Sequence, residues 1–178
     1  YGELVLRHGD EGVVYGNFFL DGMGGIRIKE GQDHAVFNNY FSGITDRPLI
    51  LMNYDVDPLD RILIAYNTFV NSENIRLGAS GAYPPANVTF ANNIFAFPTA
   101  DLFDNPTGTE TWIGNISSGS LGMEKPEGIR EADPGLELNS EGFYELSATS
   151  TAIDSAQEGY PQIANYPGME IDYEVNLD

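Results

Sequence analysis

Apolar residues along this chain fall in short runs rich in Val, Ile, Phe and Tyr, joined by connections rich in Gly, Asn and Asp. Two such runs open it, Leu4-Val5-Leu6-Arg7-His8-Gly9 and Gly24-Gly25-Ile26-Arg27-Ile28. Side chains alternate along a strand. With Leu4 and Leu6 inward, Val5 and Arg7 point out; with Ile26 and Ile28 inward, Arg27 and then Lys29 point out; with Ile75 and Leu77 inward, Arg76 points out. Three of the six arginines are therefore expected at equivalent outward positions on one sheet, with Ile50 or Met52 taking that place in the intervening strand Leu49–Met52.

Behind each of these runs comes a second motif. Five segments align on one asparagine: Val14-Tyr15-Gly16-Asn17, Val36-Phe37-Asn38-Asn39, Ile64-Ala65-Tyr66-Asn67, Thr89-Phe90-Ala91-Asn92-Asn93 and Trp112-Ile113-Gly114-Asn115. Phe or Ile follows at Phe19, Phe41, Phe69, Phe95 and Ile116, and the asparagines are spaced by 22, 28, 26 and 22 residues. Repeats at this interval are too short for a strand–helix–strand unit and fit one coil of a solenoid of short strands. The reading is all-β, a right-handed parallel β-helix. Asparagine suits its turns, because it tolerates left-handed backbone and bonds neighbouring backbone groups. Stacked one rung apart, about 4.8 Å, such side chains form an inward amide ladder. Asn87-Val88-Thr89 and Asn115-Ile116-Ser117 match the glycosylation acceptor but sit in or beside that ladder.

Residues 1–120 read as β-helix rungs, and 121–178 as final rungs with an irregular C-terminal cap in the same domain. Within the latter, Leu121–Arg130 reads as a loop, Asp133–Leu136 and Phe143–Leu146 as late strands, and Ser150–Ala156 as a short capped turn or one turn of helix. His34 reads as structural, Tyr54, Tyr66 and Tyr83 as residues available to a cleft, and Asp55, Asp57 and Asp60 as a solvated acidic loop.

Composition narrows the chemistry. With 42% hydrophobic residues in 178, the chain suits one domain with a core. It has no cysteine and only two histidines, which excludes disulfides, thiolate sites and a zinc site of several imidazoles. No run approaches the roughly 18 apolar residues of a membrane helix. A net charge of -19, from 27 acidic and 8 basic residues, argues against nucleic acid or anionic membranes as partners.

The ordered set Leu4-Val5-Leu6-Arg7-His8-Gly9, Gly16-Asn17-Phe18-Phe19, Gly24-Gly25-Ile26-Arg27 and Asn38-Asn39-Tyr40-Phe41 resembles polysaccharide lyase family 6, which holds alginate lyases and the chondroitinase B type. Asn67–Asn71, Asn92–Phe95 and the stretch from Asp133-Pro134 to Ala152-Ile153-Asp154 continue the resemblance. It implies a secreted or periplasmic enzyme that cleaves a uronate polysaccharide, alginate first and dermatan sulfate next, by β-elimination. In the family a lysine takes the proton at C5 of the uronate, and an arginine one rung on serves the glycosidic oxygen. Calcium neutralises the substrate carboxylate. The chemistry needs these parts: the proton lies alpha to a carboxylate, so the carbanion adds charge that a cation must absorb, and the leaving oxygen needs a donor.

Carried over by motif, the resemblance places Arg7 on the catalytic arginine, His8 on the active-site histidine beside it, and Arg27 on a substrate-binding arginine. Arg76 joins Arg27 as a substrate-binding candidate on the strand pattern alone. A guanidinium suits the bidentate binding of carboxylate or sulfate. The family's lysine and calcium-binding glutamates would lie before Tyr1, so the expectation is a β-helix truncated at its N-terminal end and inactive alone. Calcium would belong to the full-length enzyme, and a separate chain carrying the missing N-terminal half is a candidate partner. Lys29 stands two rungs from where the base belongs. Two other readings share the sequence: a non-catalytic β-helix that binds acidic glycans, and a structural or adhesive β-helix.

Overall fold

The computed structural model describes residues 3–52, 58–72, 74–78 and 83–161. Among them the chain visits three parallel sheets in turn, five times over. The first sheet runs β1(Leu4–Arg7), β4(Gly24–Lys29), β8(Arg47–Met52), β11(Ile75–Arg76) and β14(Phe103–Asp104). The second runs β2(Val13–Tyr15), β6(Ala35–Phe37), β9(Leu59–Ala65), β12(Ala86–Ala91) and β15(Thr111–Ile113), with β5(Gly31–Gln32) also paired to β9. The third runs β3(Phe18–Leu20), β7(Tyr40–Ser42), β10(Thr68–Val70), β13(Ile94–Ala96), β16(Asn115–Ser117) and β17(Ile129–Glu131). This is the right-handed parallel β-helix expected from the repeat.

The core is the inside of the coil. Ile26, Ile28, Leu49, Leu51 and Ile75 enter it from the first sheet, Val36, Ile64 and Phe90 from the second, and Phe41, Phe69 and Phe95 from the third. Identical positions on successive rungs place like side chains in contact. Phe19, Phe41, Phe69 and Phe95 stack in one file at centroid spacings of 4.8, 4.5 and 5.2 Å. Each buried ring contributes about 1.5–3 kcal/mol. Ile116 does not continue the file. The register pairs Phe95 with Ser117 and sets Ile116 beside Ile94, one position off.

The asparagine ladder is present in full. Asn17, Asn39, Asn67 and Asn93 each donate from Nδ2 to Oδ1 of the ladder asparagine one rung on, at 2.9–3.0 Å. The same Oδ1 atoms accept the backbone N–H of Asn17, Asn39, Asn67 and Asn93. The ladder residue is not the left-handed one. That conformation belongs to the residue before it: Gly16, Asn38, Tyr66, Asn92 and Gly114, with φ between 51 and 67°. The backbone bends first, and the asparagine then closes the turn by bonding the carbonyl two residues back, as Asn67 does to Ala65.

Residues 121–130, read from sequence as a loop, hold the remains of a sixth coil. Leu102 and Phe103 donate backbone N–H to Ser120 and Leu121, Leu121 is buried, and Ile129 begins β17. The last two strands form an antiparallel hairpin, β18(Leu136–Leu138) and β19(Tyr144–Leu146). It packs on the outer face of the third sheet, where Phe143 meets Phe18 and Tyr40, and the Tyr144 N–H donates to the Tyr40 hydroxyl. On the outer face of the second sheet, Gln157 bonds Asn92 in both directions and the Tyr160 hydroxyl meets that of Tyr66.

Candidate functional site

The outer face of the first sheet gathers the cations. Of the eight lysines and arginines in the chain, Arg7, Arg27, Lys29 and Arg76 stand there. Alternation explains their direction: Leu4 and Leu6 pack against the core, and Ile26 and Ile28 are wholly buried.

The register corrects one expectation. Arg7, Arg27 and Arg76 do not share a file. Val5 pairs with Arg27, Arg27 with Ile50, Ile50 with Arg76 and Arg76 with Asp104. Arg7 pairs with Lys29, and Lys29 with Met52. There are two files, two residues apart along the strands. Alternation fixes which face a side chain takes but is blind to a slip of two residues, so the sequence pattern could not separate them.

Arg7 and Arg27 are diagonal neighbours, whereas Arg76 lies three strands from Arg7, about 15 Å at the usual strand spacing. Arg7 is exposed and makes no hydrogen bond or ion pair with any described residue. Arg27 Nε donates to Met52 Sδ at 3.0 Å, and Arg76 Nε to the Gly78 carbonyl at 3.1 Å. Arg47, at the start of β8, reaches Asn74 at 2.7 Å and Asp104 at 2.8 Å, and so ties the third rung to the fourth and fifth.

At the end of β1 and β4 the chain turns toward the second sheet, and here the sequence reading missed a residue. His8 and Glu30 occupy the same place on adjacent rungs, and both are left-handed, with φ of 53° and 61°. Glu30 is 1% exposed, and its Oε2 lies 2.6 Å from His8 Nδ1. Beside His8 opens a cleft of about 240 Å³ lined by Asp10, Gly31, Gln32 and Pro58. No motif marks Glu30. Its signal was the unusual Lys29-Glu30-Gly31, a charged residue directly before glycine at the end of a buried strand.

Beneath this turn lies His34, 2% exposed, whose Nδ1 accepts the Gly12 N–H at 3.0 Å. Burial pulls its pKa below the ordinary value, against smaller opposing contributions from the Glu30 backbone and from Asp10. The geometry bears out a structural histidine. Further along, Arg61 bonds Asp33, Asp60 and Gln32, and its guanidinium holds the Asp33 carboxyl below the usual range. Asp60 is thus engaged by Arg61 and by Asn87 Nδ2. Tyr66 faces Tyr160 on the second sheet, away from the cationic face. Asn87 is exposed at the start of β12, outside the ladder, while Asn115 is buried within it. Tyr54, Asp55 and Asp57 lie outside the described residues.

Comparison with known proteins agrees with this architecture. The profile of the chondroitinase B family matches residues 1–100. A solved structure of a mutant of the PL6-family alginate lyase AlyGC superposes with a TM-score of 0.59 at 19% sequence identity, over 84% of this chain. The chain spans 27% of that chain's length. Among curated proteins, none matches the sequence.

Proposed function

Because the chain belongs to the chondroitinase B family, we propose that it is part of a polysaccharide lyase that cleaves a uronate-containing polysaccharide, alginate first, by β-elimination. The observation that carries the reading is the concentration of Arg7, Arg27, Lys29 and Arg76 on one sheet face of a chain of net charge -19. A polyanion approaching such a chain is repelled at long range. Within a Debye length of about 8 Å, however, it meets a local cationic strip, and that is the range at which a bound sugar sits.

In this reading Arg7 acts at the glycosidic oxygen. Of the cations on this face it is the exposed one, and it bonds no described residue, so its guanidinium is available to the charge that builds as the bond breaks. His8 stands next to it, with its ring against Glu30, and handles a proton at the same centre. Arg27, held through Met52, takes a substrate carboxylate one diagonal step away. Arg76 takes a charge further along the strip. Family chemistry also uses calcium. The described residues bring no three carboxylate or imidazole groups together, so no step is assigned to a metal held by them. The base that removes the C5 proton is not assigned to a described residue, and Lys29 stands on the far side of Arg7 from the rung that the family pattern gives it.

The test is ultraviolet detection of unsaturated uronate on alginate and then on dermatan sulfate, with glycan affinity measured in parallel. Product that disappears on Arg7→Ala supports the reading. Affinity without product, from a chain supplied with all of its natural flanking sequence, sinks it in favour of a glycan-binding β-helix.

A further inference from the structure

Glu30 is a buried carboxylate with no role in the core and none in the proposed chemistry. Its Oε2 has no polar partner among the described residues except His8 Nδ1 at 2.6 Å. Two bare lone pairs do not approach to that distance, so a proton lies between these atoms. An unpartnered buried carboxylate is costly, and the contact that relieves it is the imidazole. The backbone on both sides of this contact is left-handed. Glutamate rarely adopts positive φ, yet Glu30 does so at 61°, directly beside His8 at 53°, with Gly31 at 98° completing the bend. A second left-handed stack, Glu11, Asp33 and Arg61, runs beside this one but buries no charge, and the turns before the ladder ease the conformation by their choice of residue. There, four of the five left-handed positions are Gly or Asn, residues that tolerate the conformation.

We propose that Glu30 is a positioning residue for His8: it holds the imidazole with its proton on Nδ1, leaving Nε2 as a bare acceptor on the open side of the ring. A histidine in water prefers the opposite tautomer, with the proton on Nε2. The buried carboxylate reverses that preference, and the half-exposed ring, 46% accessible, offers Nε2 next to Arg7 and the Asp10–Gln32 cleft. A proton acceptor fixed beside an exposed guanidinium suits a reaction in which a proton must be carried to or from the bond that Arg7 addresses. This last step rests on the lyase reading; the tautomer does not.

The chain has only two histidines, and the second is an internal standard. His34 Nδ1 accepts a backbone N–H, so its proton must sit on Nε2. Long-range proton–nitrogen correlation spectra of the nitrogen-labelled protein above pH 8 report each imidazole separately. The expected result is opposite tautomers: Nδ1–H for His8 and Nε2–H for His34. In Glu30→Leu, His8 shifts to Nε2–H while His34 stays as it was. A proton on His8 Nε2 in the unmodified protein overturns the proposal, and so does a His8 signal unchanged in Glu30→Leu. If Glu30→Leu fails to fold, Glu30→Gln serves, since its amide no longer enforces a proton on Nδ1; a His8 tautomer unmoved in both overturns the proposal as well. Turnover separates this from the lyase reading. With activity present, Glu30→Gln lowers kcat by about 10-fold or more while KM stays within a factor of two. With activity absent from every sample, the spectra still decide the tautomer, and only the lyase reading falls.

Discussion

The turn between the second and third sheets and the turn between the first and second sheets are made by the same chain, rung after rung, and they could hardly differ more. The first is made the same way in every rung: one left-handed residue, then a ladder asparagine. The second repeats only across its first two rungs, where His8 and Glu30, then Glu11 and Asp33, are left-handed at matching places. It is His8–Gly12 in the first rung, Glu30–His34 with the extra strand β5 in the second, and a longer connection in each of the next two. Where a solenoid has only to close its coil, one solution serves and stacking reinforces it. Where the turn also presents chemistry, no single residue type is held from rung to rung, and its length changes after the second. The departures cluster beside Arg7, His8, Lys29 and Glu30, and the irregular turn is therefore the place to look for function.

The sharpest way to break this comparison is to damage the regular turn. Asn67 Nδ2 donates to Val36, Ala65 and Asn93, and its Oδ1 accepts two N–H groups from Asn39. In Asn67→Leu the Asn39 N–H loses its acceptor, and Val36, Ala65, Asn93 and the Asn39 amide each lose a bond inside a buried network. The expected loss is about 3–5 kcal/mol in chemical denaturation, by analogy with other broken buried networks. Asn17 is only half-buried, and Asn17→Leu should cost under about 1 kcal/mol. Equal losses at the two positions would show that the ladder is not a cooperative buried network.

Damage to the irregular side should do the reverse. Arg7 is exposed and bonds no described residue, so Arg7→Gln should leave the denaturation midpoint within about 0.5 kcal/mol of the parent. On the lyase reading it lowers turnover about 100-fold or more, the usual scale for losing an electrostatic donor at a developing charge. A variant that unfolds instead would place Arg7 on the structural side of the contrast.

The two turns were also unequally legible from the sequence. The regular one could be read almost completely, because a stacked position is held to one residue type: Asn17, Asn39, Asn67, Asn93 and Asn115 announce it, as do Phe19, Phe41, Phe69 and Phe95. What escaped was the part that alternation cannot encode. Inward and outward faces followed from Leu4, Ile26 and Ile75, but the two-residue offset between the Arg7 and Arg27 files did not. The sixth coil escaped because Leu121 and Ile129 lack the asparagine between them. Glu30 escaped because a carboxylate is buried only when a distant residue meets it, and that residue, His8, is 22 positions away in sequence.

His34 tests the comparison most gently, since it lies under the irregular turn yet belongs to the structure. Its pKa is depressed in the folded chain by burial, from the ordinary 6.5. Below that value the unfolded chain binds a proton that the folded chain resists. The contribution of His34 to stability is therefore complete above 6.5 and is lost as pH falls through the folded pKa. Asp33 behaves in the same sense but in a separate, more acid window: Arg61 lowers its pKa from 3.8, so its contribution holds above that value and fades only below it. Denaturation midpoints across this range should show two separate declines. In His34→Gln, whose side-chain oxygen still accepts the Gly12 N–H, the upper decline should flatten while the lower one remains. If the upper decline persists unchanged, the depressed group is not His34, and the turn beneath the cationic face is held in some other way.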